Sequence, residues 1–455
     1  MRRVTTLACS SIAVVWIWAG GAVMSGLAGP SVFPTGVTLY DPDKAYNSYV
    51  LFDGRDNRSY LIDMNGRDVK TWGYSGFPVE MIDPALAGGE RGRILAQKEP
   101  DNYANKTIIE LDWTGRIVWE WGPKAPGGRA GQTHDLCRLA NGNTLVLSMR
   151  DVVPAAISRL PVKDQVVFEV TRQGDVVWTW VASEHLDEFG LSDQARAQLG
   201  SASGRRRSSL LTINKMTPIG PNKWYRAGDA RFHPDNIIID SREANFIAII
   251  QKTTGRVVWR MGPDYPGAFD FSALKDTRQV PRPVDQVSGQ HDVHMIADGL
   301  PGAGHLLMFD NQGSAGQPIA SLALFIGSRV IEVDPVTKAI VWQYDAAASR
   351  RPMWTFFSVF VSSARRLPNG NTLICEGMNG RLFQVTRGGE IVWEYVNPHF
   401  GRWADHDTVS GGDLTNWVYR AQPVPYAWVP DGTPRSETRV VPPDNSTFRV
   451  PAVGK

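Results

Sequence analysis

The chain has 455 residues, rich in Gly (44), Pro (30) and Trp (16), and a formal charge of only +2. That balance excludes the strongly basic surface that a nucleic-acid partner requires. The length allows one large domain or two smaller ones, and the Gly and Pro content favours a loop-rich, all-β fold.

In chain order, the first segment concerns export. After Arg2 and Arg3 no charge appears before Asp41, and the stretch between carries "LACSSIAVVWIWAGGAVMSGLA". A run of about 20 apolar residues spans a bilayer, yet this one ends in small residues that suit cleavage near Ala28. Residues 1–30 therefore form a signal peptide or a membrane anchor through residues 4–28. Either sends the remainder out of the cytoplasm, to the periplasm or cell envelope. Cys9 has the apolar run still ahead of it and is no lipid-attachment site. The other cysteines, Cys137 and Cys375, read as buried small hydrophobes rather than a disulfide framework.

From residue 49 onward one unit recurs. "GRDVKTW", "GRIVWEW", "GDVVWTW", "GRVVWRM", "KAIVWQY" and "GEIVWEY" carry Trp72, Trp119, Trp178, Trp259, Trp342 and Trp393. A second strand and a turn precede each, and "LANGNTLVLSM" and "LPNGNTLICEG" show Asn-Gly turns joining two further strands. A four-stranded meander repeated six times stacks radially, which predicts a six-bladed β-propeller over residues 31–424. The first unit lacks an inner strand, and "NWVYRAQPV", residues 416–424, can supply it by pairing beside residues 49–53. That closure removes two exposed sheet edges. Residues 425–455 form a Pro-rich tail packed on the propeller or trailing from it.

The long connections, 122–133, 181–210 and 262–290, all run from outer to inner strands, so one face of the disc carries the insertions. The basic run at residues 205–207 lies in one of them and reads as a solvated loop. His134 and His291 open the inner strands of blades three and five at that face, pointing toward the central channel. Asn214 opens that of blade four. Second strands end there too, bringing Arg150, Arg242, Asn311 and Glu376. Two imidazoles with Arg and Asn around one funnel suit anion binding and proton transfer, with no run of ligands at metal spacing. His233 belongs to a turn at the opposite face and is expected to be structural. His294, three residues past His291, is expected on the other side of its strand, serving packing.

These residues carry a resemblance. "THDLCRLANGNTLVL", "GPNKWYRAGDARFHPDNIIIDSREANFIAII", "GQHDVHMI", "LLMFDNQG" and "NWVYRAQPVPYAWVP" are similar to the bacterial aryl-sulfate sulfotransferase family, over about residues 45 to 435. The resemblance implies a propeller that moves a sulfuryl group from a phenolic sulfate ester to a phenol, with no nucleotide donor, cofactor or metal. It implies His291 as the nucleophile that becomes a transient sulfohistidine, with His134, Asn214 and Arg242 as active-site partners. Asn311, Arg150 and Thr212 are weaker candidates for substrate binding. Thr212 stands where the family has a third His, which removes one donor or acid. The implied partners are an aryl sulfate and a phenol, and the oligomeric state is open.

Three rivals fare worse. Cys137 and Cys375 do not fit a sulfatase Cys-x-Pro-x-Arg signature, and no G-x-x-x-x-G-K loop marks a nucleotide-linked enzyme. The paired cysteines of quinoprotein dehydrogenases are missing as well. The remaining alternative is a non-catalytic envelope propeller that binds or scaffolds, and Thr212 is its main support.

Overall fold

The computed structural model describes residues 34–99, 105–154, 157–158, 160–199, 209–263, 287–312, 327–402 and 414–442. Each repeat forms an antiparallel sheet, and the six sheets are the expected blades. Blade one joins Ala421–Val424, Tyr49–Asp53, Ser59–Ile62 and Asp68–Trp72; blade two joins Glu80–Met81, Ile94–Gln97, Ile108–Leu111 and Ile117–Trp121. Blade three runs through Gln132–Arg138, Thr144–Val152, Val162–Val170 and Val176–Val181, and blade four through Ile213–Pro218, Ile237–Ser241, Phe246–Ile250 and Val257–Met261. Blade five comprises His291–Met295, Leu306–Asp310, Arg329–Val333 and Ile340–Tyr344. Blade six comprises Ser363–Arg366, Thr372–Glu376, Arg381–Val385 and Ile391–Val396, and its outer edge is covered by a fifth strand, Gly36–Tyr40.

Six buried apolar clusters fill the six interfaces between neighbouring blades. No blade could bury both faces alone, so stacking supplies the hydrophobic gain. The repeated Trp has a second use beyond bulk. Each donates its indole N–H to a carbonyl in the outer turn of the next blade: Trp72 to Asp112, Trp119 to Arg172, Trp178 to Lys252, Trp259 to Pro335, Trp342 to Arg387 and Trp393 to Met64. The last of these returns from blade six to blade one and completes the circle.

The chain closes through the pairing of Tyr49 with Val424 and Phe52 with Ala421. The closing strand is shorter than residues 416–424, because residues just before Ala421 bond elsewhere. Val418 N–H donates to Gly377 O, and Tyr419 O accepts from Ser362 N–H. Beyond the strand, Val429 is buried, Tyr49 donates to Thr433 O, and Tyr40 bridges Val440. Cys137 and Cys375 are free and buried, and burial pushes both thiols up. Among the described residues no helix is long and apolar enough to cross a membrane. The expected signal or anchor segment, residues 1–30, lies outside them, as do residues 205–207.

Candidate active site

The inner strands of blades three, four and five each carry a bulge near their start. His134 and Asp292 sit within them at φ of 58° and 59°, and Thr212 just before the one in blade four at 49°. Left-handed backbone at a non-glycine residue costs about 1–3 kcal/mol and persists where the surroundings over-determine it. The bulge also corrects the expectation for His294. His291 faces Phe309 while His294 faces Leu307, so three residues span two partner positions. Both imidazoles therefore lie on the same side of the strand. His294 lines a cavity of about 360 Å³ further along the channel, with Glu80, Lys215 and Arg365.

His291 is buried and held on both nitrogens. Nδ1 faces two acceptors, Asn311 Oδ1 at 2.7 Å and Gly289 O at 2.9 Å. Asn311 cannot be flipped, because its Nδ2 donates to Ser358 O at 2.6 Å and Val361 O at 3.0 Å. Nδ1 thus carries the proton, and Nε2 holds the lone pair, which accepts from Val361 N–H at 3.1 Å. Burial and then the Arg242 guanidinium pull the imidazole down to about 3, so it is neutral near pH 7.

His134, also buried, pairs Nδ1 with Thr133 Oγ1 at 2.5 Å. Burial, Arg242 and Arg420 lower it to about 3 as well. Arg242 acts electrostatically on both rings, and His134 on His291. Arg242 is paired through Nη1 with Glu243, while its buried Nε has no partner among the described residues. Asn214 is fully buried, and its Nδ2 donates across the blade boundary to Gln290 O at 3.1 Å. Its Oδ1 has no partner among the described residues. The open atoms here include a donor on Arg242 and acceptors on Asn214 and Gln290.

Sequence reasoning did not name the residues of the apolar wall. Phe77 lies 4.9 Å from the His134 ring and 4.1 Å from Tyr419. Tyr419 in turn donates to Asn214 O at 3.1 Å. Val361, Met378 and Trp417 complete this cluster, which offers an aromatic ring flat apolar surface. It also missed a ring of ionisable groups one residue past the channel rim, one per blade: Arg420, Glu80, Asp135, Lys215, Asp292 and Arg365, of which burial raises Glu80 to about 7. Arg420 bridges Asp135 at 2.7 Å and Asp292 at 3.2 Å, Lys215 meets Asp135 at 3.1 Å, and Arg365 meets Asp292 at 2.8 Å. Burial would raise Asp292, but Arg365, Arg420 and Lys215 outweigh it and hold the carboxyl at about 2. The repeated "HD" of "THDL" and "QHDV", followed in register to "NK" at Asn214, was the available signal.

A family model described as Arylsulfotransferase (ASST) matches residues 53–397. The chain belongs to the arylsulfotransferase family. Family membership supports an arylsulfotransferase-type function in general, with aryl sulfate and phenol as the class of small molecules. No curated protein matches this arylsulfotransferase-family chain. Among solved structures it is similar to a protein of unknown function from Bacteroides caccae, 14% identical, covering 83% of this chain and 99% of that one, with a TM-score of 0.45. It is also similar to the Dos1 propeller (9% identical, 79% and 75% covered, TM-score 0.35). A putative 6-phosphogluconolactonase from Bacteroides fragilis is 10% identical, with 87% and 100% covered and a TM-score of 0.37. Scores this low bear on neither site nor activity.

Within the arylsulfotransferase-family site, four expected residues take other roles. Arg150 caps the carbonyls of Met149, Arg129 and Ala130 and lies over Phe168, fastening a loop to blade three rather than facing the channel. Asn311 spends every polar side-chain atom on His291 and the 358–361 turn, so it orients the imidazole instead of binding substrate. Thr212 accepts from Ser209 Oγ at 3.1 Å, and its carbonyl takes the Arg242 N–H. Glu376 is committed to Arg381 and Phe357 N–H. His233 closes a short helical turn between the first two strands of blade four, at the end away from Asn214.

Proposed function

We propose that the protein transfers a sulfuryl group from an aryl sulfate to a phenol through a sulfohistidine on His291, outside the cytoplasm. The carrying observation is the fixed tautomer, with Nδ1–H tied to Asn311 and Gly289 so that the lone pair stands on Nε2. A neutral imidazole is a competent nucleophile. Its Nε2 forms a bond to sulfur while the S–O bond to the aryl group breaks and the electron pair leaves with the phenolate. Such a phenolate leaves readily because its acid has a pKa of about 10. The acceptor oxygen then attacks sulfur, the N–S pair returns to Nε2, and the acceptor's proton balances the one taken by the first phenolate.

Two groups are supported in separate roles. Arg242 Nε offers a donor to the equatorial sulfuryl oxygens, as group transfer of this kind needs. Asn214 presents an acceptor, which suits the O–H of the incoming phenol and repels a sulfuryl oxygen. Phe77 and Tyr419 provide the surface for the ring. The deciding experiment is incubation with p-nitrophenyl sulfate without acceptor, followed by intact mass and peptide mapping. A gain of one sulfuryl group on His291, discharged by added phenol, supports the reading. A protein that binds the ester yet never gains mass supports the second reading, a binding propeller, which the Thr212 replacement favours.

A further inference from the structure

The lone pair of His291 Nε2 is not open. It accepts from Val361 N–H at 3.1 Å, and a lone pair so engaged cannot attack sulfur until that bond is given up. The turn that delivers this amide is held from several sides. Asn311 Nδ2 donates to Ser358 O and Val361 O, Ser362 N–H donates to Tyr419 O at 3.1 Å, and Ser362 Oγ bonds Ser358 Oγ at 2.9 Å and receives Gly377 N–H. Val361 and Ser362 sit at φ of 55° and 95°. A β-branched residue is seldom found there, and consecutive left-handed residues aim this N–H at the imidazole. The amide must shift aside as sulfur enters, but a turn held at so many points stays beside the site, and a buried amide left without an acceptor is costly.

We propose, on the sulfotransfer reading above, that the main-chain N–H of Val361 is a catalytic donor. It caps Nε2 and turns to a sulfuryl oxygen as Nε2 bonds sulfur. The exchange balances: one hydrogen bond to nitrogen is replaced by one to an oxygen carried on that nitrogen, and no proton moves. When the acceptor removes the group, the amide returns to Nε2 and stabilises the leaving imidazole. The amide adds a backbone donor beside His291 to a site in which Thr212 leaves one fewer side-chain group than the resemblance implies.

An amide-to-ester replacement at position 361 deletes the N–H while keeping the side chain. Acylation of His291 by diethyl pyrocarbonate should become faster, because Nε2 is uncapped. Sulfuryl loading from p-nitrophenyl sulfate should fall about a hundredfold. Val361→Gly keeps the N–H and should acylate at the wild-type rate, while its loading should fall far less than that of the ester. Loading that is unchanged or faster in the ester overturns the donor role, and unchanged acylation overturns the cap. Loading lost equally in Val361→Gly also overturns the proposal, since the side chain would then be responsible. In 15N-valine-labelled wild type the Val361 amide resonance should shift on loading and return on discharge; a resonance that stays put overturns the proposal whether or not the ester folds. Acylation is read without any aryl sulfate. A wild type that acylates as expected but never loads therefore sinks the sulfotransfer reading, and the donor role with it, independently of the cap.

Discussion

At the scale of single residues, the site depends on which atoms are already spent. His291 is held in one tautomer by Asn311. Asn311→Leu should keep a folded protein yet reduce sulfuryl loading by roughly ten- to a hundredfold, as expected when an orienting partner of an imidazole is lost. Single-turnover mass spectrometry reads this directly; loading at the wild-type rate would show that orientation is immaterial. Arg242→Ala should slow both half-reactions by roughly a hundredfold or more, because a donor to developing charge is worth several kcal/mol in a dry site. Asn214→Leu should split differently, raising KM for the phenol while loading from the donor stays near normal. Equal loss in both halves would place Asn214 on the sulfuryl group instead. Most of these side chains were legible as types: His134, Asn214, Arg242 and His291 lie at successive strand starts and ends. Their partners were not, since Val361 and Tyr419 arrive from segments distant in sequence.

At the scale of elements, the repeated Trp is an inter-blade latch as much as a packing unit. Trp393 is fully buried and bonds Met64 O at 2.8 Å across the closure. Trp393→Ala should cost about 3–5 kcal/mol, the usual range for emptying a large buried aromatic site. Trp393→Phe should cost about 1 kcal/mol more than its lost area implies, for the hydrogen bond. Denaturant titration measures both, and an alanine variant as stable as wild type would refute the latch at the closing interface. The C-terminal segment deserves the same test of function, because Tyr419 and Arg420 lead into the strand that closes blade one. The same short segment therefore finishes both the ring and the wall beside His134.

At the scale of the whole molecule, burial of ionisable groups sets the response to pH. His134 and His291 are lowered to about 3 by burial and neighbouring cations. Groups depressed in this way contribute stability above their unfolded value of about 6.5, and it is lost as pH falls. Asp53 and Asp240 are raised by burial to about 7 and about 8. Their contribution is present below about 3.9 and is lost as pH rises through the folded values. From about pH 4.5 to 6.5 the two sets oppose each other, so Tm should vary little. Above pH 6.5 only the carboxyls weigh, and Tm should fall toward pH 8. A Tm that climbs steadily to pH 8.5 would contradict this assignment. Arg420→Met tests the buried ion network: it leaves Asp135 and Asp292 short of a buried partner and should destabilise by about 3–5 kcal/mol.

The sequence by itself determined the six blades, the outer-strand position of every repeated Trp and the closing of blade one by the C-terminus. Those follow from period and alternation, which are local properties that a chain writes along its length. It also marked the strand starts that carry His134, Asn214 and His291. Tertiary structure alone decided what those groups face. The bulge after His291 turned His294 onto the same side, and the longer second strand of blade three took Arg150 away from the channel. The ion network and the Val361 cap join residues up to 285 positions apart. Such contacts depend on how six sheets converge on one axis, and no periodicity within a single strand encodes where its neighbour's loop will end.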